Sequence, residues 1–205
     1  MKKFELTAES KINIFGKKLF RIKALISFGD VEEGETGGWI EKEENLEQSS
    51  GDAWVYGDAE VYGNAEVYGN ARVSGNAEVS GNARVSGDAE VSGDAWVYGN
   101  AEVYGNARVS GNAEVYGNAR VSGNAEVSGN ADYTTIHGFG TQFRTTTFFQ
   151  CEDKQIRVSC GCFLGTIPEF REQVKNTREG KIVEEYLMIA DLMEKHFVKE
   201  KESGE

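Results

Sequence analysis

From residue 53 to residue 130 the apolar and polar positions follow one beat, Ala-x-Val-[Tyr/Ser]-Gly-[Asn/Asp], thirteen times without an insertion. In the copy Ala59-Glu60-Val61-Tyr62-Gly63-Asn64 an extended backbone sends Ala59 and Val61 to one side and Glu60 and Tyr62 to the other. The small and β-branched pair suits a buried face, and the charged and aromatic pair a wet one. Gly63-Asn64 then makes a corner, because both residues tolerate positive φ. Helix is excluded by a glycine every sixth residue and by apolar spacings of two then four. A hairpin meander is disfavoured because every segment ends in the same short corner. Strands this short cannot bury an apolar face alone, so identical copies must stack on one another. The pattern predicts a parallel solenoid.

The hexads resemble the hexapeptide-repeat left-handed β-helix, with Val61 and its equivalents at that family's aliphatic inward position and Ala59 and its equivalents at the small one. The resemblance implies a mainly β fold, a left-handed parallel β-helix with three hexads in each triangular coil of eighteen residues. Residues eighteen apart would then stack ~4.8 Å from each other. Trp54, Arg72, Glu90, Arg108 and Glu126 form one outward column, and Glu66, Arg84, Glu102 and Arg120 a second. The charged residues of both alternate in sign, which removes like-charge repulsion between rungs and supports the eighteen-residue coil. The third column, Glu60, Glu78, Trp96, Glu114 and then Asp132, is acidic apart from Trp96.

The flanks read as caps. Residues 4–28 predict a small β-unit with a hairpin turning at Gly16-Lys17-Lys18. Ile40 and Leu46 lie one hexad apart, but Val55 follows nine residues after Leu46, so a three-residue excess is expected to bulge near residues 47–50. After Asn130, Tyr133 and Phe139 keep the valine phase, and His137 falls at an alanine, inward position. A terminal hairpin is expected next. A helix then starts at Thr166-Ile167-Pro168-Glu169, which carries a capping box. A second apolar stripe follows through Val183, Tyr186, Leu187, Ala190, Met193 and Phe197. The tail from Lys199 to Glu205 is expected to fray. The expected division is an N-terminal β cap with an irregular first coil (1–50), the regular array (51–139), and a C-terminal hairpin with two helices (140–205).

Charge narrows the partners. The net charge of −12 divides as −2 over residues 1–50, −8 over 51–132 and −2 over 133–205. Such a surface is a poor match for nucleic acid, whose binding relies on neutralising phosphates, and a better one for a basic protein. No apolar run approaches the ~20 residues of a membrane span. Met1-Lys2-Lys3 resembles a signal-peptide start, but Glu5, Glu9, Lys11 and Asn13 interrupt what should be its apolar core. Three cysteines argue against a disulfide framework. These features predict the cytoplasm of a bacterial cell. Phe28-Gly29-Asp30-Val31, Gly37-Gly38-Trp39-Ile40-Glu41 and the segment from Cys160 to Thr166 resemble uncharacterised phage and prophage proteins with such repeats, which implies a mobile-element origin and no established activity.

Catalytic chemistry is sparse. Hexapeptide acyltransferases use a histidine base, and γ-type carbonic anhydrases three histidines on zinc. The thirteen hexads contain neither, since His137 and His196 both lie after Asn130. Cys160-x-Cys162 with Cys151 departs from the C-x₂₋₄-C spacing of zinc sites, and alternation would put Cys160 and Cys162 on one strand face as packed thiols. No cofactor, metal or catalytic residue is assigned. The asparagines at the corners, Asn64, Asn82, Asn100 and Asn118, suit a structural hydrogen-bonded ladder. Tyrosines and tryptophan beside acids on the third column are the sequence's best candidate for recognition. The expected function is a non-catalytic, phage-encoded binding protein that presents Glu60, Tyr62, Glu78, Trp96, Tyr98, Glu114 and Tyr116 to a basic host protein, with inhibition of a nucleic-acid-binding defence enzyme by charge mimicry as its sharpest form. The alternatives are a trimeric virion or assembly component, and a small-ligand binder or degenerate acyltransferase with its pocket at a dimer or trimer seam.

Overall fold

The computed structural model describes residues 2–197. Met1 of the leader-like start and the tail from Lys199 to Glu205 lie outside the described residues. The chain divides into two compact units, Met1–Asn130 and Ala131–Glu205.

In the first unit β1 (Phe4–Ile12), β2 (Lys18–Ala24) and β3 (Thr36–Ile40) precede thirteen two-residue strands, β4 to β16, one per hexad from Trp54–Val55 to Glu126–Val127. Each hexad strand pairs in parallel with the one eighteen residues away, as in Glu90↔Arg108 and Val91↔Val109. Successive hexads therefore enter three different sheets, and the array is a parallel β-solenoid of about five turns of eighteen residues. Every alanine and valine of the array is at most 1% exposed. Burying a valine side chain stabilises by ~1.5–3 kcal/mol, and the stack repeats this gain at each hexad. Backbone bonds join the rungs, three from one hexad in the case of Glu90 N–H to Ala107 O (2.9 Å), Ser92 N–H to Val109 O (2.9 Å) and Asp94 N–H to Gly111 O (2.8 Å).

The corners show why glycine recurs. Gly93 has φ +70°, and a Cβ there would lie 2.9 Å from Gly111 O on the next rung. Another corner carries the asparagine ladder, with Asn64 Nδ2 donating to Asn82 Oδ1 (3.1 Å), Asn82 to Asn100 (3.0 Å) and Asn100 to Asn118 (3.1 Å).

The beat starts before the regular array. Ile40 pairs with Val61 and Leu46 with Val67, 21 residues on, whereas Trp54 pairs with Arg72 at the regular eighteen. The three-residue excess thus lies between Leu46 and Trp54. Strand β3 is parallel to β5 (Glu60–Val61) on one side and antiparallel to β2 on the other. The β1–β2 hairpin consequently extends one solenoid sheet, ordered β1-β2-β3-β5-β8-β11-β14. Its turn falls at residues 13–17, slightly earlier than expected. Trp54, which the phase places outward, is fully buried instead, because Phe4 and Phe28 pack edge-on against it at ring-centroid distances of 6.1 and 5.4 Å.

The second unit departs further from expectation. Residues after Asn130 add no rung: β17 (Tyr133–Phe139) pairs antiparallel with β18 (Arg144–Gln150), as Tyr133↔Phe149 shows. The array therefore ends at Asn130 and not at Phe139. His137 lies exposed on β17, not inward, with Nδ1 3.4 Å from Thr145 Oγ1. Strands β19 (Ile156–Cys160) and β20 (Phe163–Thr166) complete a four-stranded antiparallel sheet, a larger unit than a hairpin. Gly161, at φ +64°, turns the chain between them, so exposed Cys162 sits in a turn and not on one strand face with Cys160. Helix α1 (Ile167–Thr177) has its capping box, with Thr166 N–H donating to Glu169 Oε2 at 2.7 Å. Phe170 and Val174 of α1 and Tyr186, Ile189, Ala190 and Met193 of α2 (Lys181–Phe197) share a core with Phe148 and Val158. Arg171 joins the helices through Asp191 and Glu194, each at 2.7 Å.

Candidate functional site

The three outward columns form with the expected register but differ in what their charges do. In the first, Arg108 pairs with Glu90 at 3.7 Å, and Arg72 with Asp30 of the N-terminal segment. In the second, Arg84 pairs with Glu66 at 3.5 Å and Arg120 with Glu102 at 3.1 Å. These pairs are exposed, worth ~0.2–1 kcal/mol each, and they neutralise their own faces.

The third column runs Trp39, Glu60, Glu78, Trp96, Glu114 and ends with β14 (Glu114–Val115). Asp132, expected to close it, belongs to the other unit. Glu60 and Glu78 are direct neighbours on adjacent rungs, an unfavourable like-charge contact. The hairpin answers it. Lys11 Nζ lies 2.8 Å from Glu60 Oε1, and Asn13 Nδ2 donates to Glu60 Oε2 at 3.1 Å. Lys11 and Arg21 also stand over the Trp39 ring, 4.5 and 4.3 Å from its centroid. Tyr62 is 8% exposed and packs with Leu19 and Trp39. Two of the seven predicted face residues, Glu60 and Tyr62, are therefore already engaged by the chain's own hairpin. Period reasoning places them on the face but says nothing about what folds over it.

Glu78, Trp96, Tyr98, Glu114 and Tyr116 are brought together as expected. Tyr62 Oη donates to Glu78 Oε2 at 2.8 Å, and Tyr98 Oη to Glu114 Oε2 at 3.2 Å. Tyr98 and Tyr116 stack at 5.3 Å with 13° between their planes. The hairpin turn adds Phe15, whose ring lies 6.0 Å from Trp96 and 6.1 Å from Tyr62. Phe15, Tyr62, Glu78, Ser80, Trp96 and Tyr98 line a cavity of about 410 Å³. Burial raises the Glu78 carboxyl above its ordinary range, the Tyr62 hydrogen bond and the charge of Lys11 oppose this, and Glu60 adds to it. Burial first, and donation to a carboxylate second, hold the Tyr62 and Tyr98 hydroxyls above the usual phenol range.

Sequence reasoning missed Trp39, Lys11 and Phe15. Trp39 was within reach: once Ile40 takes the valine phase, the residue before it must head the acidic column. No periodic signal locates Lys11 or Phe15, because their position depends on where the hairpin lands. Elsewhere, burial pushes the Cys151 thiol up to about 11, which suits a packed group rather than a nucleophile. Among the described residues no three His, Cys, Asp or Glu side chains converge as a metal site, and no helix is long and apolar enough to cross a membrane.

A stacked parallel array bearing outward side-chain columns defines a repeat protein of the β-solenoid class. Residues 65–81, 77–93, 101–117 and 113–129 match the family model described as the YdcK β-solenoid repeat. Comparison with curated proteins gives no significant match.

Proposed function

We propose that the chain is a non-catalytic binding protein that presents the acidic, aromatic column of its solenoid to a basic surface of another protein. One observation carries this reading. Two columns neutralise themselves by alternating sign, while Glu78, Trp96 and Glu114 succeed one another with no ion-pair partner for either carboxylate among the described residues. A rigid strip of carboxylates and rings is complementary to lysine- and arginine-rich surfaces, and such complementarity governs encounter and specificity. The engagement of Glu60 and Trp39 by Lys11 and Arg21 supports it, since the same column already accepts cations from within the chain.

The finer form of the proposal places the protein in the bacterial cytoplasm, encoded by a phage or prophage. Its partner there is an enzyme whose basic groove normally grips phosphates, and the carboxylates stand in for them. Affinity capture from bacterial lysate tests this, with the native chain compared with the triple variant Glu78→Lys, Trp96→Ala, Glu114→Lys. Expected is a basic partner held by the native chain and lost by the variant. An unchanged set of bound proteins rejects the assignment of this face.

A further inference from the structure

The third column contains the same arrangement twice. At its head, Trp39 sits one rung from Glu60, and Lys11 fills the space, with its ammonium 4.5 Å from the ring centroid and 2.8 Å from the carboxylate. Further along, Trp96 sits one rung from Glu78 on one side and from Glu114 on the other. No lysine or arginine of the described chain forms an ion pair with either acid, although the charge of Lys11, held at Glu60, also acts on Glu78. This second copy is more open, with Trp96 half-buried and Phe15 54% exposed. Phe15 crosses Trp96 at 73°, Tyr62 and Tyr98 complete the walls, and Glu78 with Ser80 supplies the polar groups of a cavity of about 410 Å³.

The walls are preorganised. Asn13 Oδ1 accepts from Phe15 N–H (3.1 Å) and Lys17 N–H (3.0 Å), and its amide donates to Glu60, so the turn carrying Phe15 is tied to the face. Tyr62 Oη fixes one oxygen of Glu78. Aromatic faces attract a cation through their quadrupoles, most strongly when water is excluded, and cages of this kind suit ammonium groups. A carboxylate beside them adds the opposite charge.

We propose that the cavity between Phe15, Tyr62, Trp96 and Tyr98 binds an organic ammonium group against the Glu78 carboxylate. This deepens the reading of the face given above and rests on it. The ammonium is carried either by a lysine side chain of the protein partner or by a free small amine. Methylation of the nitrogen strengthens binding, because the cavity offers rings on most sides and few acceptors for N–H groups.

Calorimetric titration of the full chain tests the proposal, with a parallel NMR readout at the Trp96 indole. The probes are choline, its neutral isostere 3,3-dimethylbutanol, and short peptides with a central lysine, trimethyl-lysine or alanine. Expected is saturable binding of choline and of the lysine-type peptides, with the neutral isostere and the alanine peptide about tenfold weaker or worse. Glu78→Gln, Trp96→Leu and Phe15→Ala each weaken choline about tenfold while the thermal transition stays in place. A trimethyl-lysine peptide that binds about tenfold tighter than choline assigns the group to a protein partner, and the reverse order assigns it to a free amine. Absence of saturable binding by every ammonium probe overturns the proposal. So does equal binding of the isostere, or native affinity in both Glu78→Gln and Trp96→Leu. If ammonium probes fail while Glu114→Lys still abolishes capture of a basic protein, the cavity assignment falls and the face reading stands. If ammonium probes bind but no protein is captured through the face, the face reading falls and the cavity keeps its ligand as a free amine.

Discussion

Two carboxylates of the first unit carry opposite instructions. Glu41 Oε2 accepts from Gly63 N–H at 2.7 Å, and this bond, opposed by burial and aided by Lys17, holds its carboxyl below the ordinary range. Glu78 is raised, chiefly by burial. A lowered carboxyl contributes stability that is present above its unfolded value and lost as pH falls through the folded one. A raised carboxyl does the reverse: folding favours its protonated form, so stability grows as pH falls through the folded value and is lower above it. At pH 7 Glu41→Gln should therefore destabilise, by about 1 kcal/mol for a weakened charge-assisted bond. Glu78→Gln should leave stability unchanged or slightly raised, since Gln retains an acceptor for Tyr62. Urea denaturation of both variants at pH 7 and near pH 4 checks this, and the two differences from the native chain should converge at the lower pH. A Glu78 carboxylate that is unhelpful to the fold fits a residue kept for binding. At this scale the sequence is informative about direction and less so about surroundings. The alternation of Ala and Val names every inward residue of the array, and the Gly-Asn corner is readable from φ preference alone. The same alternation points Trp54 outward, and it fails there because the burial comes from Phe4 and Phe28, far away in the chain and outside the repeat.

At the scale of elements, the hairpin is what separates a periodic array from a site. Its existence is legible from two apolar runs around Gly16-Lys17-Lys18, but its docking is not, because a strand pair carries no periodic label for its partner. Charge explains the outcome. The hairpin brings Lys11 to Glu60, Lys17 to Glu41 at 3.2 Å and Arg21 to Trp39. It thus supplies cations to the one column that lacks them. Lys11→Glu would place a third carboxylate beside Glu60 and Glu78. The strand β2 remains anchored through β3, and Leu19 and Ile22 stay buried, so the solenoid itself should survive. The expected result is local release: faster hydrogen exchange over β1 and residues 13–17, unchanged exchange over the hexads, and loss of at most ~1–2 kcal/mol overall. Phe15 would leave Trp96 in the same variant, so Trp96 fluorescence should become more accessible to a soluble quencher. In the second unit the helices are legible from the capping box and the apolar stripe. Its sheet is not, because Tyr133 and Phe139 happen to keep the valine phase while pairing antiparallel with residues that carry no repeat.

Over the molecule as a whole, backbone and charge follow different periods. The backbone returns to the same face after eighteen residues, but in two of the three columns a charge of the same sign returns only after 36, as in Arg72 and Arg108 or Glu66 and Glu102. Deleting residues 79–96 removes one turn and leaves all later side chains on their own faces. It also sets Glu66 beside Glu102 and Arg72 beside Arg108. Deleting residues 79–114 removes two turns and restores opposite neighbours, Glu66 with Arg120 and Arg72 with Glu126. Solenoid stability adds turn by turn, so the backbone term alone makes the longer deletion cost twice the shorter. Like-charge contacts break that proportion. The shorter deletion loses attraction and gains repulsion in two columns and sets Glu78 beside Glu114 in the third, together ~1–3 kcal/mol at low ionic strength. Salt screens exposed pairs within a Debye length of ~10 Å at 0.1 M and ~3 Å at 1 M. Raising salt should therefore recover most of the excess cost in the one-turn deletion and change the two-turn deletion little, when both are followed by urea unfolding. Equal salt dependence in the two deletions would mean that the ladders contribute nothing to register, and that valine, alanine and the asparagine corners alone keep the copies in step.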